Sequence, residues 1–359
     1  MSVRWCGRSS PGGRSGRVGE VDAVLVAVGL LLVAVVVLDA ALTTLSLAGA
    51  GPLTGWAARL VWSSIRRLSG RRRRRHLVLR WSGTVVLTAT FFVWVAGLWL
   101  GWFLAFSAGD RTVVDDSGSP AGGWSRFYFA GFSIFTLGVG DYVPGTASAQ
   151  IATNFAVLSG LFLITLGITY LMQVVSAVVD KRTIAGHIAA LGTDPVDILR
   201  RNWDGTRFSP MFEQHLTSLT PEVIRLGERH LAYPVLHYFH AETRTKAAPA
   251  GLTVLDGVVL ILRVGVHPKH RADIAAVEPL GWALRELVST LTGPFISPVE
   301  EPAALPGFDD LASAGLPVTD ADTYARAVAD CRDHRVRLWG WCVSDGWDDP
   351  DLRLTRDNK

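Results

Sequence analysis

The chain has 359 residues, 49% of them hydrophobic, with a positive mean hydropathy and a net charge of +3. This composition excludes an ordinary soluble protein. Because the apolar residues are concentrated in the first half, it predicts membrane spans followed by a soluble part. The three cysteines are too widely spaced for a disulfide framework or a zinc site, so we expect the soluble part to lie in a reducing compartment.

Three apolar segments are each long enough to cross roughly 30 Å of hydrocarbon as a helix: residues 23–47, 84–107 and 151–179. Residues 1–20 are predicted to be disordered, and residues 21–50 to hold a span additional to the other two. An alternative is that residues 1–50 are a cleaved signal peptide, because residues 48–50, Ala-Gly-Ala, are typical of a cleavage site.

Arginine counts predict the orientation of the chain. Residues 51–80 hold nine arginines, whereas residues 109–123 hold one arginine and three aspartates. The excess of positive charge places residues 51–80 as an Arg-rich cytoplasmic loop and the acidic link outside. The third span then returns to the cytoplasm, so we expect a multi-pass protein of the plasma membrane with a cytoplasmic C-terminal domain.

A run of five arginines stands shortly before the second span: Arg71, Arg72, Arg73, Arg74 and Arg75. In isolation such a run is typical of nucleic-acid binding or nuclear import. So close to a membrane span, it instead predicts contact with anionic lipid, and nucleic acid is not an expected partner.

Between the second and third spans, residues 124–136 read WSRFYFAGFSIFT, which is too short to cross a bilayer. A short apolar helix followed by a glycine-rich return predicts a re-entrant segment, which survives at membrane depth only where it packs in protein or lines water. The return carries six candidate ion-binding residues: Thr136, Leu137, Gly138, Val139, Gly140 and Asp141.

These six residues resemble the selectivity filter of potassium channels, usually Thr-Val-Gly-Tyr-Gly-Asp, of the bacterial type with two helices and one pore loop per subunit. The resemblance covers residues 84 to about 179 and implies a pore domain at residues 81–182. It implies that backbone carbonyls replace the water around potassium, the permeant ion, without a cofactor. Glycine at alternate positions permits the φ > 0 that aligned carbonyls require. Because one copy cannot encircle an ion, a homotetramer is expected.

The resemblance also implies roles for the two ends of the loop, and it has departures. The Thr136 hydroxyl would supply the innermost oxygens, and Asp141 would concentrate cations at the outer mouth. Val139 replaces the usual tyrosine, and Phe132 stands where some relatives carry a carboxylate. An aromatic cuff from Tyr128 and its neighbour Phe129 would have to stiffen the loop instead.

The third span carries two further candidate features. Gly160 lies where inner helices of the family commonly have a hinge glycine, and close helix packing is the alternative. Helical spacing also places four apolar residues on one stripe that would line the inner cavity or, alternatively, face lipid: Leu161, Ile164, Ile168 and Met172.

Residues 183–359 are predicted to form a mainly helical cytoplasmic domain. Pro195 and Pro221 each follow a capping residue, which is typical of a helix start, and Pro279 predicts a break in a helical pattern. The apolar run from Val258 is either a strand or a buried helix. The absence of a GxGxxG motif after a strand argues against a Rossmann-type regulatory domain.

Two histidines of this domain are candidate metal ligands. His237 and His240 are three residues apart and would share a metal on one face of a helix, with Glu242 or His230 completing the site. Packed, hydrogen-bonded histidines are the alternative. No nucleophile–base pair or phosphate loop stands out in the sequence, so we do not expect an enzyme.

Together these features predict an all-α membrane protein. It would combine a potassium-channel-like pore domain (outer helix, pore helix, filter and inner helix) with an extra N-terminal span and the helical cytoplasmic domain. The predicted function is a potassium-selective cation channel whose gate responds to an unknown cytoplasmic ligand or protein. Two alternatives stay open: a non-selective cation channel of the same architecture, and a membrane-anchored signalling or adaptor protein with a vestigial pore segment.

Overall fold

The computed structural model describes residues 13–46, 49–68, 79, 81–293, 295–347 and 353–354. These residues are mostly α-helical, and the named strands among them form one two-stranded sheet. The predicted mainly helical class is confirmed.

Five helices make up most of the described N-terminal half: α1 (Gly13–Leu45), α2 (Pro52–Leu68), α3 (Ser82–Ser107), α4 (Gly123–Ile134) and α5 (Ala147–Leu191). Helix α1 begins inside the stretch predicted to be disordered, and residues 1–12 lie outside the described residues. Helix α2 occupies much of the predicted Arg-rich loop. This helix was not predicted from the sequence, because arginine counts indicate orientation and not conformation. The arginine run at 71–75 is not among the described residues.

A small sheet connects the link after α3 to the chain that follows residues 136–141, the candidate loop. Strand β1 (Val113–Asp115) pairs antiparallel with β2 (Tyr142–Pro144), with Val114 opposite Val143. Because only seven residues lie between α4 and β2, this pairing holds the C-terminal end of the candidate loop.

The chain divides into two compact units, and the division falls within the long helices. The first unit comprises Met1–Ser46, Ala50–Ala57 and Thr88–Tyr170; the second comprises Leu47–Gly49, Ala58–Leu87 and Leu171–Lys359. The predicted boundary at residue 182 is not an end of an element, because α5 runs unbroken to Leu191.

In the part of the chain that the structure describes, four helical segments are long and apolar enough to cross a membrane: Gly19–Leu45, Ser82–Ser107, Ala147–Leu191 and Ala248–Gly265. The first three match the predicted spans. In the fourth segment, 83% of the residues in the most apolar stretch are buried inside the protein, whereas the corresponding fraction in the other three segments is 11–28%. A segment already covered by protein has no face left for lipid, so we assign Ala248–Gly265 to the core of the second unit.

Within the first unit, α1 packs closely on the outer helix α3. A methyl group built on Gly29 would lie 2.5 Å from the carbonyl oxygen of Gly101, and one built on Gly97 would lie 2.7 Å from a methyl of Val36. Small residues let two helix backbones approach in this way inside membranes. The extra span is therefore a packed part of the unit.

A buried polar network joins the same helices. The side chain of Asp39 on α1 is 2% exposed and accepts hydrogen bonds from the backbone N–H groups of Leu53 (2.8 Å) and Thr54 (3.2 Å). It also accepts from the Thr54 hydroxyl at 2.7 Å and from Trp94 Nε1 of α3 at 2.9 Å. The carboxyl group thus caps the start of α2 and binds the outer helix at once.

The second unit contains seven further α-helices in the described chain: α6 (Pro195–Arg201), α7 (Pro210–Ala232), α8 (Ala248–Leu260), α9 (Ile274–Leu291), α10 (Phe308–Ser313), α11 (Ala321–Asp330) and α12 (Arg332–Ser344). Short 3₁₀ turns lie at Pro234–Tyr238, Arg244–Lys246 and Pro268–His270, and a π turn at Ile261–Gly265 continues α8. Helix α8 lies in the core, which resolves the alternative between strand and buried helix at Val258.

Of the three proline predictions, one is confirmed and two are wrong. Helix α6 begins at Pro195, with the Asp194 side chain accepting a hydrogen bond from the Asp197 N–H at 2.9 Å. Pro221 lies inside α7 and Pro279 inside α9. Each of these helices buries an apolar stripe on both sides of its proline, and that burial outweighs the hydrogen bond that a proline removes.

Candidate functional site

The candidate site begins with the short helix α4, which is held against α3. Its C-terminal half is buried from Phe129 to Ile134. A methyl group on Gly131 would meet the Trp99 ring at 2.5 Å, and Trp99 Nε1 donates to the Phe127 carbonyl at 2.8 Å. The tryptophan thus packs flat against the helix because glycine leaves the space.

The Arg126 side chain binds α4 to its surroundings, a contact that the sequence analysis did not anticipate. Its guanidinium donates to three carbonyl oxygens: Ser107 (2.8 Å), Asp110 (2.9 Å) and Ala121 (2.9 Å). The rigid donor fork of arginine suits such a cluster of acceptors. The end of α3, the outer link and the start of α4 are therefore held together by one residue.

The end of α4 turns directly into the candidate loop. The Thr136 N–H donates to the Ser133 carbonyl at 3.1 Å, and the Leu137 N–H donates to the Phe132 carbonyl at 2.8 Å. These bonds give a donor to two carbonyl groups at the end of α4. The helix ends there, and the chain continues into the candidate loop.

The backbone of the candidate loop alternates in conformation. Thr136, Gly138 and Gly140 have φ values of 58°, 59° and 90°, whereas Leu137 and Val139 are not in the positive region. Thr136 is the only non-glycine residue with positive φ in the described part of the chain. No atom lies within 4 Å of a methyl group built on Gly138 or Gly140. The glycines are therefore required by the backbone conformation and not by a lack of space.

The loop is open to solvent in the single chain. Residues 135–141 are all exposed, with Leu137 at 67% and Val139 at 50%. Apolar side chains and polar backbone groups of the loop are thus both exposed, because no other described part of the same chain packs over them. Such an exposed apolar patch is typical of an interaction surface.

Aromatic residues surround the helix that carries the loop. Tyr128 contacts Phe132 (ring centroids 5.2 Å apart) and Tyr142 (6.3 Å). The Tyr142 hydroxyl lies 3.0 Å from the hydroxyl of Ser125, which donates to it. Phe129 instead packs into the unit against Phe106 at 4.9 Å. Of the two predicted cuff residues, Tyr128 thus lies beside Tyr142, which follows Asp141 directly and was missed, whereas Phe129 packs into the interior of the unit.

Gly160 lies at a close approach of α5 to the end of α4. A methyl group built there would overlap the carbonyl oxygen of Ile134. Helix α5 is continuous through this position. The contact explains the glycine as a packing residue, and its role as a hinge stays a prediction.

We expect Gly160→Ala to lower the thermal unfolding temperature of the detergent-solubilised protein, because the Ile134 backbone cannot rotate away from the added methyl group. Gly167→Ala is the matched control: its methyl group would meet the ring of Phe91 at 2.9 Å, and a side chain can move. A role as a hinge alone predicts equal stability for both variants and an altered open probability for Gly160→Ala.

The predicted pore-lining stripe faces away from the residues that α5 buries. Leu161, Ile168 and Met172 are exposed, and Ile164 is half-buried. Leu163, Leu166 and Tyr170 are buried on the other side of the helix. The exposure fits a cavity, another subunit or lipid, so the stripe stays a prediction.

The structure does not place His237 and His240 on one helix face. The 3₁₀ turn at Pro234–Tyr238 ends before His240, whose Nδ1 lies 2.7 Å from Asp345 Oδ1. The His237 ring packs against Phe295, and burial together with the charge of Lys181 lowers the pKa of His237 to about 4. Among the described residues, no group of three His, Cys, Asp or Glu side chains is placed to hold a metal ion.

Comparison with known proteins identifies a domain within this chain. Residues 81–177, which contain α3, α4, the candidate loop and the first two-thirds of α5, match the family described as "Ion channel". An uncharacterized membrane protein of Bacillus subtilis (strain 168), YdjJ, is 29% identical over 314 residues, which cover 87% of this chain and 91% of that protein. No solved structure matches. Residues 81–177 are therefore similar to an ion-channel family, and most of the chain is similar to a membrane protein.

Proposed function

We propose that the protein is a potassium-selective cation channel whose pore is formed by four copies of the chain. The observation that carries the proposal is the alternation of positive φ at Thr136, Gly138 and Gly140 in an exposed loop. This loop follows a short buried helix and lies within the residues that match the ion-channel family.

The alternation matters because a cation that leaves water must be held by other oxygens. Neighbouring peptide units in a regular strand point their carbonyls to opposite sides, whereas left-handed residues at alternate positions turn successive carbonyls toward one side. Four such loops around an axis supply stacked rings of oxygens. The exposed Asp141 at the outer end of the loop raises the local cation concentration.

The helix α4 adds to the same electrostatic effect. Its C-terminal end, at Ile134, leads directly into the loop. The C-terminus of a helix carries a partial negative charge, which stabilises a cation near the inner end of the loop. The residues of the site thus conduct an ion without catalysis.

The direct test is potassium flux into liposomes that contain the purified protein. We expect uptake that barium blocks, in vesicles that are otherwise impermeable to potassium. A protein that elutes as a stable monomer and supports no flux would contradict the proposal and favour an adaptor with a vestigial pore segment.

A non-selective cation channel is the second candidate, and the exposure of Val139 favours it. The side chain at this position is half exposed and has no hydroxyl with which to bind the neighbouring aromatic residues. A less rigid loop discriminates less well between potassium and sodium by cavity size. Reversal potentials under potassium on one side and sodium on the other separate the two candidates.

A further inference from the structure

The second unit contains a cavity that the proposed conduction path does not use. It has a volume of about 460 Å³ and lies among the start of α3, residues 178–182 of α5 and the segment 239–247. This volume lies within the range of small-molecule sites. Trp81, which is 57% exposed, and Thr84 form part of its wall.

The floor of the cavity is formed by buried charged groups. Asp345 and Lys181 are 2% and 5% exposed, with Lys181 Nζ 4.0 Å from Asp345 Oδ1. Lys181 Nζ also donates to the Phe239 carbonyl at 2.8 Å. His240 Nδ1 lies 2.7 Å from the same oxygen of Asp345, and its ring stacks on Trp62 at 5.5 Å.

Among the described residues, the buried Asp345 Oδ2 and His240 Nε2 atoms of this floor have no hydrogen-bond partner, whereas His240 Nδ1 has its contact with Asp345 Oδ1. Burial acts to raise the pKa of Asp345, but the charges of His240 and Lys181 outweigh it and hold the pKa at about 2. The carboxylate is therefore ionised at neutral pH. Leaving a buried acceptor unpaired is costly, so the floor is complete only when a donor such as a hydroxyl group reaches it.

The rim of the cavity carries positive charge. Arg182 and Lys246 line it and are exposed, and Glu242 lies beside them. Cations therefore outnumber carboxylates at the rim. The planar donor fork of arginine and the ammonium group of lysine both suit a phosphate group.

We propose that this cavity binds a phosphate ester that carries free hydroxyl groups, with the phosphate on Arg182 and Lys246 and a hydroxyl donating to Asp345. Two sources share this chemistry: the headgroup of a lipid such as phosphatidylglycerol, and a soluble compound such as glycerol 3-phosphate. Because the floor includes Lys181 on α5, occupancy would bias the conformation of that helix. This consequence for conduction rests on the proposed channel function, whereas binding itself does not.

The test uses the full-length protein purified in detergent and measures binding without ion flux. Native mass spectrometry would count the lipids retained after incubation with equal amounts of phosphatidylglycerol and phosphatidylcholine, and calorimetry would titrate glycerol 3-phosphate. The variant is Arg182→Gln with Lys246→Gln, both at exposed positions. The matched control is Lys269→Gln with Arg285→Gln, which removes the same charge from exposed positions outside the cavity.

We expect the wild type and the control pair to retain phosphatidylglycerol in preference to phosphatidylcholine. The amount of phosphatidylglycerol retained by the rim variant is expected to be at least fivefold lower. Binding of glycerol 3-phosphate that the rim variant loses supports the same site with a soluble ligand. Equal binding by the rim variant and the control pair, for both probes, overturns the proposal.

A separate comparison of two lipids tests the role of Asp345. Phosphatidylmethanol carries the phosphate but no headgroup hydroxyl, so the wild type is expected to bind phosphatidylglycerol more tightly. Asp345→Asn, which keeps the size of the side chain, is expected to reduce this preference at least threefold. Equal affinity of the wild type for the two lipids would contradict the assigned contact with the hydroxyl.

Discussion

Gly140→Ala is expected to reduce potassium flux to the level of empty liposomes. Gly140 has a φ of 90°, a conformation that alanine avoids, and nothing lies within 4 Å of an added methyl group. The substitution therefore acts on the backbone alone and turns the carbonyls of the loop away from their positions. Gly138→Ala is expected to have a smaller effect, because at a φ of 59° alanine is left-handed at a cost of about 1–2 kcal/mol.

Gly118→Ala is the matched control for this prediction. Gly118 also has a positive φ, 77°, with nothing within 4 Å of a built methyl group, but it lies in the turn after β1. We expect the control to conduct like the wild type after a similar loss of stability. Equal flux through the Gly140 and Gly118 variants would show that the loop conformation does not carry conduction.

Asp39→Ala is expected to give the largest loss of stability, on the order of 3 kcal/mol or more in the free energy of unfolding. Four groups lose their acceptor when the carboxyl group is removed: the Leu53 N–H, the Thr54 N–H, the Thr54 hydroxyl and Trp94 Nε1. Each unpaired buried donor costs about 1–3 kcal/mol, and a membrane interior offers no water to replace the lost acceptor. The measurement is the thermal unfolding of the detergent-solubilised protein, monitored as the loss of its folded peak in size-exclusion chromatography.

A second variant and a control accompany the prediction for Asp39→Ala. Trp94→Phe removes one donor and leaves the others bound to Asp39, so a loss of about 1 kcal/mol is expected. Thr44→Val is the control, because among the described residues the Thr44 hydroxyl donates to carbonyls of its own helix, Ala40 and Ala41. If Asp39→Ala unfolds at the temperature of the control, the network does not hold the first span to the outer helix.

The helical class, three spans and the candidate loop could be predicted from the sequence because each depends on residues that are neighbours in the chain. An uncharged run of the right length predicts a span whatever it packs against. The spacing of Gly138 and Gly140 likewise indicates a backbone with alternate positive φ, which the structure has. Which ion passes, and whether four copies assemble, stays a prediction.

The tertiary structure decided the features that depend on residues far apart in the chain. In the sequence, Asp39 is only an interruption in an apolar run; its partners lie 14, 15 and 55 residues away. Arg126 and Gly160 gain their roles from carbonyls on other helices. His240 meets Asp345 across more than a hundred residues, a contact that the spacing of His237 and His240 does not reveal.

Local sequence thus determined which segments of this protein are apolar helices and where the backbone needs glycine, because periodicity, run length and permitted φ are properties of neighbouring residues. Only the tertiary structure decided which faces of those helices are covered. Ala248–Gly265 is apolar enough for a span, yet it is enclosed by other helices of its unit. Burial depends on what surrounds a helix, and composition alone does not contain that information.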